Sequence, residues 1–396
     1  MRKRSEERNK IDKRSFLAAG ACGACALGVA GLVAGGRGAG AQTTPDTGAH
    51  IGRGRKGLIK TRRSPWFTSL ENRRVRCDLC PRGCELAEGQ RGRCRVRENR
   101  AGELYSLTFG NPALVQLDPV ERKPFFHVLP GTRALSISTA GCNLACKFCE
   151  VWDMALVGPE EVYAYDLPPE NVIEQAQEAG AHSISYAFGE PVVFYEYMDA
   201  VATQAREAGL LNLVHTAGTI SDKPLRALCK TVDAVNVDLK SFNADFYRDV
   251  CDGRLEPVLN TLKVFREEGV HVEITHIVIP TLNDDRETAR KMCAWIVDEL
   301  GPDTPIHFAR FYPLYKLANL PPTPVSTLDD LRRIARDQGL NFVYVARVTG
   351  HEGENTFCPA CGEKVIRRMG FVVEDVNLND GHCAECGAAI PGRWGV

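Results

Sequence analysis

The chain has 396 residues, with 49 Lys and Arg against 50 Asp and Glu and a formal net charge of −1 at pH 7. Its length exceeds one typical domain, so two or three units are expected. Balanced charge and an apolar fraction of 44% describe an ordinary globular protein and give no global reason to expect nucleic acid or an acidic membrane as partner.

Residues 1–41 read as a targeting segment. A basic stretch, 1–14, precedes a Gly- and Ala-rich apolar run from 16 to about 36, and Ala39-Gly40-Ala41 gives an A-x-A cleavage pattern. Asp12-Lys13-Arg14-Ser15-Phe16-Leu17 resembles a twin-arginine export signal with Lys in the first basic place. The expectation is an exported, periplasmic or extracytoplasmic protein that meets the membrane only through this signal, or a cytoplasmic one if the signal goes unused. An uncleaved anchor is the alternative, for which the run is barely long enough. Residues 42–72, rich in Gly, Thr and Arg, read as a linker.

The 16 cysteines are the anomaly of the composition. They cluster, and in a long α/β chain clusters indicate metal sites more than disulfides. The first set, Cys77-x2-Cys80-x3-Cys84-x9-Cys94, lies in a cysteine-rich segment, 73–130. Four thiols suit an auxiliary iron–sulfur cluster or a zinc ion, and spacing does not choose. Arg73, Arg74, Arg76, Arg82, Arg91, Arg93, Arg95 and Arg97 surround them. They favour an anionic centre or acidic partner, or form a solvated basic face.

Residues 131–350 alternate strand and helix. Apolar, β-branched runs lie at 134–138, 183–188, 212–216, 234–239, 270–279, 306–311 and 342–345. Helical patterns fall at about 169–179, 194–208, 222–230, 256–268, 284–300 and 326–338. The alternation predicts an α/β fold of parallel strands with helical crossovers, and six or seven units fit a partial or complete barrel. In such folds the chemistry sits at the C-terminal ends of the strands. Cys142, Cys146 and Cys149, spaced C-x3-C-x2-C, follow the first strand of this region. Three thiolates on one loop can hold three irons of a [4Fe–4S] cubane and leave the fourth iron open for a small ligand.

This loop resembles that of the radical S-adenosylmethionine (SAM) superfamily, in which the open iron binds the amino and carboxylate groups of SAM. The resemblance implies that Gly189 and Glu190, in Phe188-Gly189-Glu190-Pro191, seat the SAM amino group; glycine permits close backbone approach. It also implies that Ile279 and Asn283 lie near the adenosine. Asp238 and Lys240 end the fourth strand and point the same way on an extended chain. They contact SAM or substrate, or form a salt bridge at the rim. Phe148 and Trp152 are adenine neighbours or packing. Cys229, Cys251 and Cys293 stand alone on helical patterns and read as core or surface thiols.

The tail, 351–396, carries two C-x2-C-G knuckles, Cys358/Cys361 and Cys383/Cys386. Their four thiolates predict a zinc-ribbon-like site, structural by default. Arg367 and Arg368 are too few to support nucleic-acid binding there.

The order of these segments, from CDLCPRGC through DPVERKPFFHVLPGT, GCNLACKFCE, FGEP and RFYPLYKLANLPPTP to GHEGENTFCPACG and IPGRW, resembles the radical SAM enzyme of the AmmeMemoRadiSam system, a relative of pyruvate formate-lyase activating enzymes. It implies an open, partial (β/α)6 TIM-like barrel. The cofactors would be a [4Fe–4S] cluster and SAM, with a flavodoxin- or ferredoxin-type electron donor and Memo-like and AMMECR-type partners. The chain departs from relatives at Cys149-Glu150-Val151-Trp152, where they tend to carry an Asn before the Trp, and at Val214-His215-Thr216-Ala217-Gly218, which replaces a Ser-Asn-Gly type turn. A glycyl-radical activase is the nearest alternative, and a non-catalytic iron–sulfur electron carrier or scaffold the more distant one.

Overall fold

The structure is a computed structural model and describes residues 54–395. The segment expected to direct export lies outside the described residues. Among those described, no helix is long and apolar enough to cross a membrane.

An eight-stranded sheet organises the chain. Its strands are β1 (Leu114–Pro119), β2 (Arg133–Ser138), β3 (Ser183–Tyr186), β4 (Leu211–Thr216), β5 (Ala234–Asp238), β6 (His271–Val278), β7 (Ile306–Arg310) and β8 (Val343–Ala346), hydrogen-bonded in that order. β1 pairs antiparallel with β2 and every other pair is parallel. The parallel strands are buried on both faces, so they read as continuous apolar runs rather than alternating ones. Seven are parallel, one more than the six of the expected barrel. β8 is the extra one, and its Tyr344 anchors the C-terminal tail through a hydrogen bond to Thr356.

Helices α1 (Pro169–Glu178), α2 (Tyr195–Glu207), α3 (Asp222–Leu228), α4 (Ala244–Cys251), α5 (Glu256–Glu267), α6 (Arg286–Leu300) and α7 (Val325–Asp337) make the crossovers. Each longer one buries a single stripe; α5 turns Val258, Thr261, Leu262 and Phe265 inward. Helix α4 was not expected. Two turns are too short to display a period, and its ends are set locally: the Asn243 side chain caps Asp245 N at 2.8 Å, and Asp252 stops it at φ +53°.

Residues 54–72, expected to belong to a linker, are folded. Arg62–Arg63 pairs with Glu103–Ser106, and Phe67–Ser69 pairs with Val75–Cys77. Their backbone groups find strand partners that composition alone does not reveal. The cysteine-rich segment is built from these small antiparallel sheets, and the tail carries another, Thr356–Phe357, Lys364–Met369 and Val372–Val376.

Candidate active site on the C-terminal rim of the sheet

The loop after β2 carries Cys142, Cys146 and Cys149. Gly141 must be glycine: φ is +94° and a Cβ would meet the Cys94 carbonyl oxygen at 2.6 Å. Helix α4 holds the loop from below. Its last carbonyls, Val250 and Cys251, accept the amides of Lys147 and Ala145, both at 2.9 Å, which satisfies groups a helix end leaves open. The Cys142 sulfur accepts Leu144 N at 3.4 Å. Burial pushes the Cys142 thiol well up and Cys149 up to about 12, while a hydrogen bond from Cys251 lowers Cys146. Cys142 and Cys149 are the two that burial disfavours as thiolates, and a positive charge such as a metal centre's would offset it. Among the described residues, three or more metal-ligating groups gather within 4.8 Å only in the tail.

Beside this loop, β3 ends at a strained turn. Phe188 sits at φ +69°, with Lys123 Nζ 4.0 Å and the Arg122 guanidinium 5.5 Å from its ring centre. A Cβ on Gly189 would lie 2.5 Å from Ser138 Oγ, and Gly189 N donates to that hydroxyl at 3.0 Å. Glu190 is buried and occupied. Its carboxylate accepts Thr216 Oγ1 at 2.6 Å, Ala217 N at 2.8 Å and Val192 N at 3.1 Å. It stitches the ends of β3 and β4 together and keeps one of about four lone-pair positions for an ammonium. Burial raises its pKa against the pull of those donors.

Asp238 and Lys240 do form the rim salt bridge, at 2.8 Å, and His215 Nε2 joins Asp238 from β4 at 2.9 Å. Burial works against the Asp238 charge, yet Lys240 and His215 hold its carboxyl well below the usual range. Lys240 Nζ also sits 5.6 Å from the Phe148 ring centre, which places the triad against the cysteine loop. Asn283 is fully engaged: Nδ2 donates to Lys240 O and Ile277 O, and Oδ1 accepts Ile279 N at 2.6 Å. It fastens β6 to β5, and Ile279 is buried. Trp152 is exposed and stacks on Tyr315, centroids 5.0 Å apart and planes 11° off parallel. Sequence reading missed His215, Tyr315 and the part played by Cys251. Each reaches the site from a different element, and no local spacing announces it.

Residues 136–293 match the Radical SAM superfamily. This region holds the three-cysteine loop, Gly189 and the Asp238–Lys240 pair. An uncharacterized protein of Methanocaldococcus jannaschii is 42% identical over 331 residues, 83% of this chain and 98% of that protein. The chain belongs to the radical SAM superfamily. The pyruvate formate-lyase-activating enzyme of Clostridium pasteurianum is 26% identical over 167 residues, 41% of this chain and 68% of that enzyme. The pyruvate formate-lyase 1-activating enzyme of Escherichia coli is 23% identical over 232 residues, 54% and 93% of the two chains. A radical SAM methyltransferase structure from Sphaerobacter thermophilus covers 56% of this chain and 70% of its own, at 18% identity and a TM-score of 0.43.

This radical SAM protein carries two further four-cysteine sets. In the tail, Cys358 and Cys386 sulfurs lie 3.6 Å apart and Cys361 and Cys383 sulfurs 3.8 Å apart. The set fits a single tetrahedral ion, whose sulfur–sulfur edge is about 3.8 Å for metal–sulfur bonds of about 2.3 Å. Cys77, Cys80, Cys84 and Cys94 instead ring a pocket. The arginines around them are mostly paired, Arg74 with Glu85, Arg76 with Asp78, Arg91 with Glu98 and Glu160, Arg93 with Asp252 and Arg97 with Glu196. They do not form the free basic face that their density in sequence allows.

Proposed function

We propose that this chain cleaves SAM reductively at a [4Fe–4S] cluster held by Cys142, Cys146 and Cys149. Bound there, cluster and SAM together supply a 5′-deoxyadenosyl radical that takes a hydrogen atom from a substrate. The observation that carries the reading is a three-thiol loop at the end of the first parallel strand, with the close-approach glycine, Gly189, beside it. Gly189 lets its turn pack directly on Ser138 at the end of β2, next to the cysteine loop. Glu190 holds that turn rigid and offers its remaining lone pair. Lys240, kept charged by Asp238 despite burial, sets a fixed positive charge against the thiolates.

Seven parallel strands with chemistry on one rim support a partial barrel of radical SAM type. Zinc is our reading of the tail. The AmmeMemoRadiSam assignment rests on the order of motifs. Two of them meet in space: Leu129 N donates to Arg393 O at 2.8 Å, and Arg393 N to His127 O at 2.7 Å. With it come Memo-like and AMMECR-type partners and a flavodoxin- or ferredoxin-type donor; export rests separately on the signal-like pattern of residues 1–41. Similarity to pyruvate formate-lyase-activating enzymes favours a second reading, in which the hydrogen comes from a glycine of a partner protein.

Reduced, reconstituted protein incubated anaerobically with SAM is expected to release 5′-deoxyadenosine and methionine. No release, with intact clusters, would leave an electron carrier. A glycyl radical appearing on a candidate partner would select the activase.

A further inference from the structure

The N-terminal cysteines form a site of a different kind from the tail, and it goes beyond the proposed reaction. Cys77 ends the strand Val75–Cys77, and its amide donates to Cys84 O at 2.9 Å. Cys80 and Cys84 flank a turn that closes through Gly83 N to Cys80 O at 3.1 Å, with Gly83 at φ +54°. Cys94 arrives from the loop before Arg97–Arg100. All four line one pocket, partly open to solvent. Backbone at Gly92 borders it, since a Cβ there would stand 3.8 Å from both the Cys84 and Cys94 sulfurs.

Two observations separate this pocket from a zinc site. Among the described residues, its thiols do not gather within 4.8 Å of one another as the tail thiols do, so they surround space rather than close on one ion. Arg97, 2% exposed, also lines the pocket. Two of its nitrogens bind Glu196 at 2.8 and 2.6 Å, while the buried Nε–H has no partner. An unanswered buried donor is costly. The sulfides and thiolates of an anionic iron–sulfur cluster would answer it.

The pocket also touches the catalytic elements. The Cys94 carbonyl packs on Gly141, immediately before Cys142, and Asn143, immediately after it, lines the pocket. Val192 and Val193, just past the Gly189–Glu190 turn, line it as well. Arg82 clamps the two regions, donating to Asn143 O at 2.5 Å and to the Asp252 carbonyl.

We propose that Cys77, Cys80, Cys84 and Cys94 ligate a second [4Fe–4S] cluster, closed by four protein thiolates, that acts as a one-electron store beside the catalytic loop. With no open iron it takes no SAM. A reduced donor of the flavodoxin or ferredoxin class gives it one electron, taking the cluster from the 2+ to the 1+ state and the donor up by one oxidation step. No bond forms or breaks.

The test removes the other cluster first. Full-length protein with Cys142→Ala, Cys146→Ala and Cys149→Ala, reconstituted anaerobically with iron and sulfide, is expected to keep about four iron and four sulfide per chain. On dithionite reduction it should give an EPR signal that added SAM leaves unchanged. The intact protein should hold about eight iron, and Cys77→Ala with Cys94→Ala about four, its signal now responding to SAM. A triple variant without iron and sulfide, or with a second zinc ion beyond the tail's, overturns the proposal. Should SAM fail to alter the intact protein's spectrum while the triple variant keeps its cluster, the proposed reaction falls and this site stands.

Discussion

The two ends of the central sheet differ in what their polar groups do. At the N-terminal end, Glu273 accepts the amides of Phe126 and His127 at 3.0 and 2.9 Å and His307 Nε2 at 2.7 Å. His127 spans from Pro391 O to the Tyr344 hydroxyl, 2.6 Å each, and Arg368 of the tail donates to Phe126 O at 2.7 Å. All of these side chains are buried. At the C-terminal rim, His215 and Asp238 stay part-exposed, Phe188 is strained, and Gly189 packs on Ser138 beside the cysteine loop. One end is knotted to the tail and spends its polar groups on itself; the other keeps groups available. Stability and chemistry are thus separated along the strands.

Substitutions should divide the same way, and the largest effect belongs to the rim. Cys142→Ala is expected to abolish 5′-deoxyadenosine formation while leaving the urea midpoint close to that of the intact protein. A large loss of stability would show that the loop thiols belong to the structural end after all. Next is Glu273→Ala at the other end. Removing a buried carboxylate that holds a histidine and two amides should cost about 3–5 kcal/mol in urea unfolding, with the SAM-cleavage rate per folded molecule unchanged. A specific-activity loss beyond the folded fraction would erase the separation.

Acid should act on the N-terminal end. Burial holds the His127 pKa down at about 3, and burial likewise lowers His307. Unfolded histidine titrates near 6.5, so between about 6.5 and 3 the unfolded chain binds more protons and stability falls as pH drops. Glu121, whose carboxyl burial pushes up to about 7, opposes this above its unfolded value of about 4.3. Urea midpoints are expected to decline from pH 7 to 5, and His127→Gln should flatten that decline by at most about 1.4 kcal/mol per pH unit. An unchanged slope would remove His127 from the account.

Much of this division was legible in sequence. The seven parallel strands were readable because burial on both faces leaves uninterrupted apolar runs. The two knuckles and the three-cysteine loop were readable because their ligands sit within a few residues. β1 was not, because Gln116 and Asp118 interrupt it and Pro119 ends it. The His215–Asp238–Lys240 triad was half legible: Asp238 and Lys240 share a strand end, whereas His215 enters across a strand pair. The arginines misled in the other direction, since charge density shows in sequence and pairing does not. Arg368, counted in sequence only as too little charge for nucleic-acid binding, is the tail's buried anchor.

The smallest expected effect concerns Cys251, which sharpens the boundary of the rim itself. Its thiol lowers the pKa of Cys146, its carbonyl holds the amide of Ala145, and it is wholly buried. A fourth thiol this close could complete a closed cluster, and the rim would then store electrons like the pocket next to it. If three cysteines hold the loop cluster, Cys251→Ala should leave the iron content unchanged and cost about 1 kcal/mol, the scale of a small buried truncation. The spectral response to SAM should persist, because the open iron does not depend on this thiol. Loss of iron in this variant, together with an intact-protein spectrum indifferent to SAM, would place Cys251 among the ligands and move the rim from chemistry to electron storage.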